Sequence, residues 1–274
     1  MAATKRYVLF GHPVGHSWSP FIHGLFARQL GDIIDYKLVD VAPADFRKAV
    51  IDFFVGRGHG ANVTVPHKQA AAEVVNEMTP RAERAGAVNT IVVQSGAKLL
   101  GDNTDGAGLV IDLRINLGVE IASRRILVLG AGGAVRGVLE PLLNEDPETV
   151  VIANRTPARA AELAREFADL GSVTGGGFDA IRDGPWDIVI NGTSASLVGE
   201  VPELPDEVFG PHTLCYDMAY GRGDTPFMEW AAARGATRVR KGFGMLVEQA
   251  AESYLLWRGV RPVTAPVLKA LAAL

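Results

Sequence analysis

The sequence predicts an α/β protein. Short apolar, β-branched runs such as Tyr7–Phe10, Val150–Ala153 and Leu214–Met218 alternate with amphipathic stretches of helical period. At 274 residues there is room for two domains, each with its own core. A third observation lies in residues 125–156, which run strand, glycine turn, helix, strand without interruption.

Taken in order, Tyr7 to Phe10 reads as the first strand, and the loop after it holds Ser17 and Ser19. Ser19-Pro20 fits an N-cap with proline in the first helical position, opening a helix through Phe21-Ile22-His23. The same two serines also suit plain turn and cap duty. Asp35 to Val41 reads as a strand and Ala44 to Val55 as an amphipathic helix. Alternation in Asn62-Val63-Thr64-Val65 predicts a short strand with Asn62 and Thr64 on one face. Pro66 ends it, leaving Lys68 at its carboxyl end, where α/β proteins place their chemistry. Ile91 to Val93 is a further strand. Gly101–Gly106 is a polar loop whose carboxylates suit turns and caps, and a helix follows from about Ala107 to Leu117.

Arg125 to Leu129 then reads as a buried strand, stopped by Gly130-Ala131-Gly132-Gly133-Ala134 and followed by a helix. A pyrophosphate sitting on the free N–H groups of a helix start must approach the backbone closely, so side chains there would collide with it. This is the βαβ unit of a dinucleotide-binding fold, although Val135 stands where a third glycine or alanine is usual. After the second strand come Asn154, Arg155 and Thr156, with Arg159 one turn on. An NAD site usually has a carboxylate there; these neutral and cationic groups suit a 2′-phosphate, so NADP is the expected cofactor. Solvated helix-start arginines are the plainer reading of the same residues.

Beyond it, Ala158 to Ala168 reads as a helix and Trp186 to Ile190 as a strand. That strand leads into Asn191-Gly192-Thr193-Ser194, a small polar loop suited to lying along a cofactor. Leu214 to Met218 is a strand, Phe227 to Ala233 a helix, and Val239 to Gly244 a glycine-flanked turn. Met245 to Arg258 is a helix from which Gln249 projects; without context, solvent is the simpler surroundings for it.

Composition narrows the classes. With 48% hydrophobic and 21% charged residues and a formal charge of −4, nothing draws the chain to nucleic acid or acidic membranes. No apolar run approaches the ~18 residues of a spanning helix. The N-terminal residues lack a signal-peptide pattern, and Cys215 is the single cysteine, set in an apolar run, so the expected compartment is the reducing cytoplasm. His12, His16 and His23 have no acidic or sulfur ligand beside them in sequence, and no metal is expected.

Nine segments in this order, FGHPVGHSWSP, GANVTVPHK, GAVNT, GDNTDG, GAGGA, NRT, NGTSA, YDMAY and GFGMLVEQAAESYLLW, make the chain resemble the shikimate dehydrogenase family over nearly its full length. The resemblance implies an N-terminal α/β substrate domain with a mixed sheet (1–105 plus 243–274) and a Rossmann NADP-binding domain (106–242), with the active site in the cleft between them. It implies reversible reduction of 3-dehydroshikimate to shikimate by NADPH. Lys68 and Asp105 would be the catalytic pair, and Ser17, Ser19, Thr64 and Tyr220 would bind the substrate carboxylate. Asn89 and Gln249 would bind ring hydroxyls. Gly130, Ala131, Gly132, Gly133 and Ala134 would hold the pyrophosphate, and Asn154, Arg155, Thr156 and Arg159 the adenosine phosphate. Thr193, Met218 and Gly242 would complete the cofactor site, Met218 and Gly242 near the nicotinamide. The expected partner is a small-molecule substrate, with the protein a monomer or homodimer. Trp18, between the two serines at a variable family position, is expected to narrow the substrate mouth. Two rival readings remain: a paralogue acting on quinate or a similar ring acid, and a non-catalytic NADP-binding module. Asn154-Arg155-Thr156 argues against NAD use by the first; retention of Lys68 and Asp105 argues against the second.

Overall fold

The computed structural model describes residues 4–182, 184–193, 201, 204–221 and 223–273. The chain divides into two compact units, Met1–Gly108 with Leu246–Leu274, and Leu109–Met245. The junction expected after residue 105 falls in the first turn of the helix Asp105–Ile111, and the one expected after residue 242 falls just before the helix Phe243–Arg258.

The first unit begins with β1 (Lys5–Gly11), α1 (Ser19–Leu30), β2 (Ile34–Asp40), α2 (Phe46–Val55), β3 (Gly60–Val63) and α3 (Lys68–Ala72). It continues with β4 (Glu77–Met78), α4 (Pro80–Ala85), β5 (Thr90–Val93), β6 (Leu99–Asp102) and α5 (Asp105–Ile111). Its sheet has the order β2-β1-β3-β5-β6-β4. It is mixed: β1 pairs parallel with β2 and β3, while β5 runs antiparallel to both β3 and β6. Tyr7, Val8, Leu9 and Phe10 are all at most 5% exposed, as a central strand covered on both faces requires.

The second unit follows a π-helical turn, Asp112–Asn116, that extends α5. Its elements are β7 (Arg125–Leu129), α6 (Gly133–Leu143), β8 (Thr149–Ala153), α7 (Pro157–Phe167) and β9 (Val173–Gly176). Then come β10 (Ile188–Asn191), β11 (Leu214–Asp217), α8 (Pro226–Ala233) and β12 (Arg238–Lys241). Every strand pair in this sheet is parallel, in the order β9-β8-β7-β10-β11-β12. That is the 3-2-1-4-5-6 order of a doubly wound Rossmann-like sheet, whose switch point lies between β7 and β10. Separate apolar clusters built on Val128, Val138 and Phe167, and on Leu129, Val189 and Phe227, cover its faces. The chain returns to the first unit through α9 (Phe243–Arg258) and α10 (Ala265–Leu271).

Several expectations need correction. Residues 239–241, read as part of a glycine-flanked turn, belong to β12; its alternating exposed arginines are what a sheet-edge strand carries against mispairing. The strand expected at 62–65 is shifted to Gly60–Val63, all buried; its register with β1 ends at Val63, and Val65 beyond it is exposed. Trp18, not Ser19, is the N-cap of α1 and caps with no side chain; Ser17 Oγ accepts the Ser19 N–H at 3.2 Å instead. β4, β6, β9, α3, α4 and α10 escaped the sequence reading, being short and, in β6 and β9, rich in glycine.

Candidate active site

In the first unit two backbone segments bring Lys68 and Asp105 together. Lys68 opens α3, and its carbonyl accepts the Val88 N–H at 2.8 Å. The preceding His67 is buried, stacked on Phe46 with centroids 4.5 Å apart, and hydrogen-bonded through Nε2 to the Val41 carbonyl at 2.8 Å. Burial lowers its pKa, so the ring is a neutral prop for the start of α3. Asp105 opens α5, with its N–H bonded to Asn103 Oδ1 at 3.1 Å. Lys68 Nζ reaches Asp105 Oδ2 at 2.5 Å, with side-chain exposures of 21% and 8%.

The other carboxylate oxygen is held by an amide. Asn89 Nδ2 donates to Asp105 Oδ1 at 2.8 Å and to Thr104 Oγ1 at 2.9 Å. The amide cannot turn over, because its Oδ1 already accepts the Thr104 backbone N–H at 2.9 Å. Gln249 joins through Oε1, 3.4 Å from Asn89 Nδ2, and is half-buried rather than solvated. Behind it, Ser253 Oγ lies 2.7 Å from Thr90 Oγ1 and accepts from Asn62 Nδ2 at 3.0 Å. Asn62 is in turn fixed by the Tyr36 hydroxyl, which donates to its Oδ1 at 2.7 Å. Asn62, Thr90, Thr104 and Ser253 were not singled out from the sequence. Ser253 had a findable signal, since it stands four residues from Gln249 on the same helical face. Asp102 is locked by a two-point Arg81 pair at 2.6 and 2.7 Å, so the loop bearing Asp105 starts from a buried anchor.

Ser17 and Ser19 hydrogen-bond each other, Oγ to Oγ, at 3.1 Å. Their loop is pinned by Asp40, which accepts from the Val14 N–H at 3.2 Å and contacts His12 Nδ1 at 2.6 Å. Thr64 lies against Gly11, where a Cβ would come within 2.6 Å of its methyl. Tyr220 belongs to the second unit, its ring 5.8 Å from that of Phe243.

The second unit places the glycine turn at the end of β7. Gly130 has φ of 103°, a conformation side chains resist, and its N–H bonds the Ala153 carbonyl at 2.7 Å. Gly132 and Gly133 are different: a Cβ on either would meet nothing within 4 Å. Internal packing therefore does not demand those glycines, while a ligand lying on the backbone would. Gly132 caps α6 with no side-chain hydrogen bond, so the helix's positive end has no anionic cap of its own. Val135 explains its own departure from the motif: a Cβ on Gly192 would lie 2.5 Å from Val135 Cγ2. The close approach usually allowed by a third glycine is provided by Gly192 instead.

Asn154 Nδ2 bonds the Thr156 carbonyl at 3.1 Å, shaping the turn after β8. Arg155, Thr156 and Arg159 are exposed, and among the described residues neither arginine has an ion-pair partner. Thr193 donates its hydroxyl to Asn191 Oδ1 at 2.7 Å; Ser194 lies outside the described residues. A Cβ on Gly192 would also lie 3.1 Å from Met218 Sδ, and one on Gly242 would lie 2.4 Å from the Met218 carbonyl oxygen. Cys215 is buried in the sheet with its thiol pushed up to about 12 by burial, and is inert. Among the described residues no helix is long and apolar enough to cross a membrane.

Residues 9–91 match the shikimate dehydrogenase substrate binding domain, 113–198 the shikimate / quinate 5-dehydrogenase model, and 242–272 the shikimate 5'-dehydrogenase C-terminal domain. A shikimate dehydrogenase (NADP(+)) of Alkalilimnicola ehrlichii is 56% identical over 268 residues, covering 98% of each chain. The crystal structure of an Ael1 enzyme from Pseudomonas putida superposes with a TM-score of 0.90 at 41% identity, covering 97% of this chain and 98% of that one. A shikimate 5-dehydrogenase from Thermus thermophilus, solved in complex with NADP(H) and shikimate, gives a TM-score of 0.86 at 32% identity, over 98% and 99% of the two chains. With a lysine–carboxylate pair in one unit, a glycine turn at the switch point of the other and this likeness along the whole chain, the protein belongs to the shikimate dehydrogenase family.

Proposed function

We propose that this protein is an NADP-dependent oxidoreductase that interconverts 3-dehydroshikimate and shikimate. The observation that carries the reading is the Lys68–Asp105 pair, braced by Asn89 and beside Gln249.

Reduction of a ring ketone develops negative charge on its oxygen, so a donor must stand next to that oxygen. The Lys68 ammonium gives its proton there as the alkoxide forms, and the neutral amine takes the proton back in the reverse direction. Asp105 holds Lys68 through one oxygen; the Asn89 amide fixes the other. Ser17, Ser19, Thr64 and Tyr220 donate hydroxyls to the substrate carboxylate, recognising an anion without a second cation that would compete for it. Gln249 and Asn89 orient the ring hydroxyls.

NADPH, when bound, supplies the hydride. Gly130 to Ala134 and the uncapped start of α6 would hold its pyrophosphate. Asn154, Arg155, Thr156 and Arg159 would hold the 2′-phosphate end, Met218 and Gly242 would lie near the nicotinamide, and Thr193 would complete the cofactor site. The single, buried cysteine supports a reducing, cytoplasmic setting, with the enzyme a monomer or homodimer.

The test is a four-way assay, shikimate and quinate each with NADP and NAD, followed by nicotinamide absorbance. Turnover is expected chiefly with shikimate and NADP. Faster turnover of quinate would move the protein to the paralogous reading, and none in any combination would remove the catalytic one.

A further inference from the structure

A buried carboxylate in the second unit has no part in this mechanism. Asp217 ends β11 with no solvent exposure. Burying a carboxylate is costly unless strong donors surround it. Among the described residues, donors from three segments do so: Asn191 Nδ2 at 3.1 Å, the Ala219 N–H at 3.0 Å and the Thr225 hydroxyl at 2.6 Å.

Each donor leads to a different place. Donating its amide to Asp217 fixes which way Asn191 faces, so its Oδ1 accepts both the Thr193 N–H, at 3.2 Å, and the Thr193 hydroxyl, at 2.7 Å. Thr193 thereby stands over the glycine turn, its methyl 3.3 Å from where a Cβ on Gly130 would be. The Ala219 N–H bond shapes the turn Met218-Ala219-Tyr220, and the Ala219 carbonyl then accepts the Gly242 N–H at 3.1 Å. Thr225 caps α8 by accepting the Met228 N–H at 3.3 Å. One carboxylate therefore sets the loops that carry Thr193, Met218 and Gly242.

We propose that Asp217 is a positioning residue for the nicotinamide end of the cofactor. It touches no reacting atom; it orders the two loops that flank that end before the cofactor arrives. The proposal rests on the reading of Thr193, Met218 and Gly242 as cofactor residues.

The test is Asp217→Asn, which keeps the shape but turns one acceptor oxygen into a donor, so the three bonds cannot all keep their direction. The KM for NADPH is expected to rise about tenfold or more, with the KM for shikimate within about twofold of the parent. The thermal shift produced by NADP+ alone is expected to shrink correspondingly. Unchanged values, or equal rises for both substrates, would overturn the proposal. If Asp217→Asn does not fold, Thr225→Val, which removes one donor, decides by the same split: a selective rise of about threefold supports it and none overturns it. The NADP+ shift needs no turnover, so a parent protein inactive on shikimate would sink the functional reading while this proposal was still judged by that shift.

Discussion

Lys68 and Asp105 lie thirty-seven residues apart in the chain and 2.5 Å apart in the fold. Lys68→Ala is expected to lower kcat by on the order of 10²- to 10⁴-fold, the usual contribution of a positioned acid–base group. NADP+ binding should remain near the parent value; an equal loss of both would mean that the lysine serves the fold and not proton transfer. On the other unit, Arg155 is exposed and without an ion-pair partner among the described residues. Arg155→Ala is expected to raise the KM for NADPH by about tenfold while changing that for NADH far less, since a charge-assisted bond to phosphate is worth roughly 1.4 kcal/mol or more. Parallel changes with the two cofactors would remove the arginine from phosphate recognition. These residues were legible because their chemistry is carried by side-chain type within short motifs. Gln249 was legible only through the family resemblance: its burial comes from α9 packing beside Asn89 and Thr104, contacts 160 and 145 residues distant.

At the level of elements, the start of α6 joins packing to binding. Gly132 is its N-cap, and the space beyond its Cα is open. Gly132→Asp gives the helix the side-chain cap it lacks and should stabilise the protein without cofactor by a few tenths of a kcal/mol. The same carboxylate would repel the pyrophosphate, so the KM for NADPH should climb. Opposite signs in melting temperature and cofactor affinity are the signature; if affinity is kept, the anion does not sit at this helix. The βαβ unit was readable because strand, glycine turn and helix follow one another locally. β6 was not, since Leu99-Leu100-Gly101-Asp102 has weak strand propensity and is held by its partners: a Cβ on Gly101 would come within 2.6 Å of Val88.

For the whole molecule, stability should depend on pH through His23. It is 1% exposed, stacked on Tyr36 with centroids 4.5 Å apart and close to Tyr254 and Trp257. Burial lowers its pKa to about 3, the Asn62 side chain opposing weakly. The native protein thus refuses a proton that the unfolded chain accepts near pH 6.5. Its contribution is fully present above pH 6.5 and is lost as pH falls toward 3. Between pH 7 and 5 this costs about 2 kcal/mol, at 1.36 kcal/mol per pH unit below 6.5. Urea unfolding at the two pH values should show that loss in the parent and a much smaller one in His23→Phe. The Asp32 carboxylate, held low chiefly by the Arg258 guanidinium, acts in the same direction at lower pH: its contribution is present above the ordinary carboxylate range and lost as it protonates.

The sequence by itself determined the α/β class, the glycine turn after β7, the preference for a phosphorylated cofactor and the motifs that carry Lys68 and Asp105. All of these are written in neighbouring residues, where period, turn chemistry and side-chain charge act over a few positions. Only the tertiary structure decided that Asn89 faces Asp105 with its amide nitrogen, that Gly192 does the work of a missing third glycine, and that Asp217 ties three loops to one charge. Those arrangements depend on which distant strands lie side by side, and hydrogen-bond direction and close packing are properties of that adjacency, which no local pattern encodes.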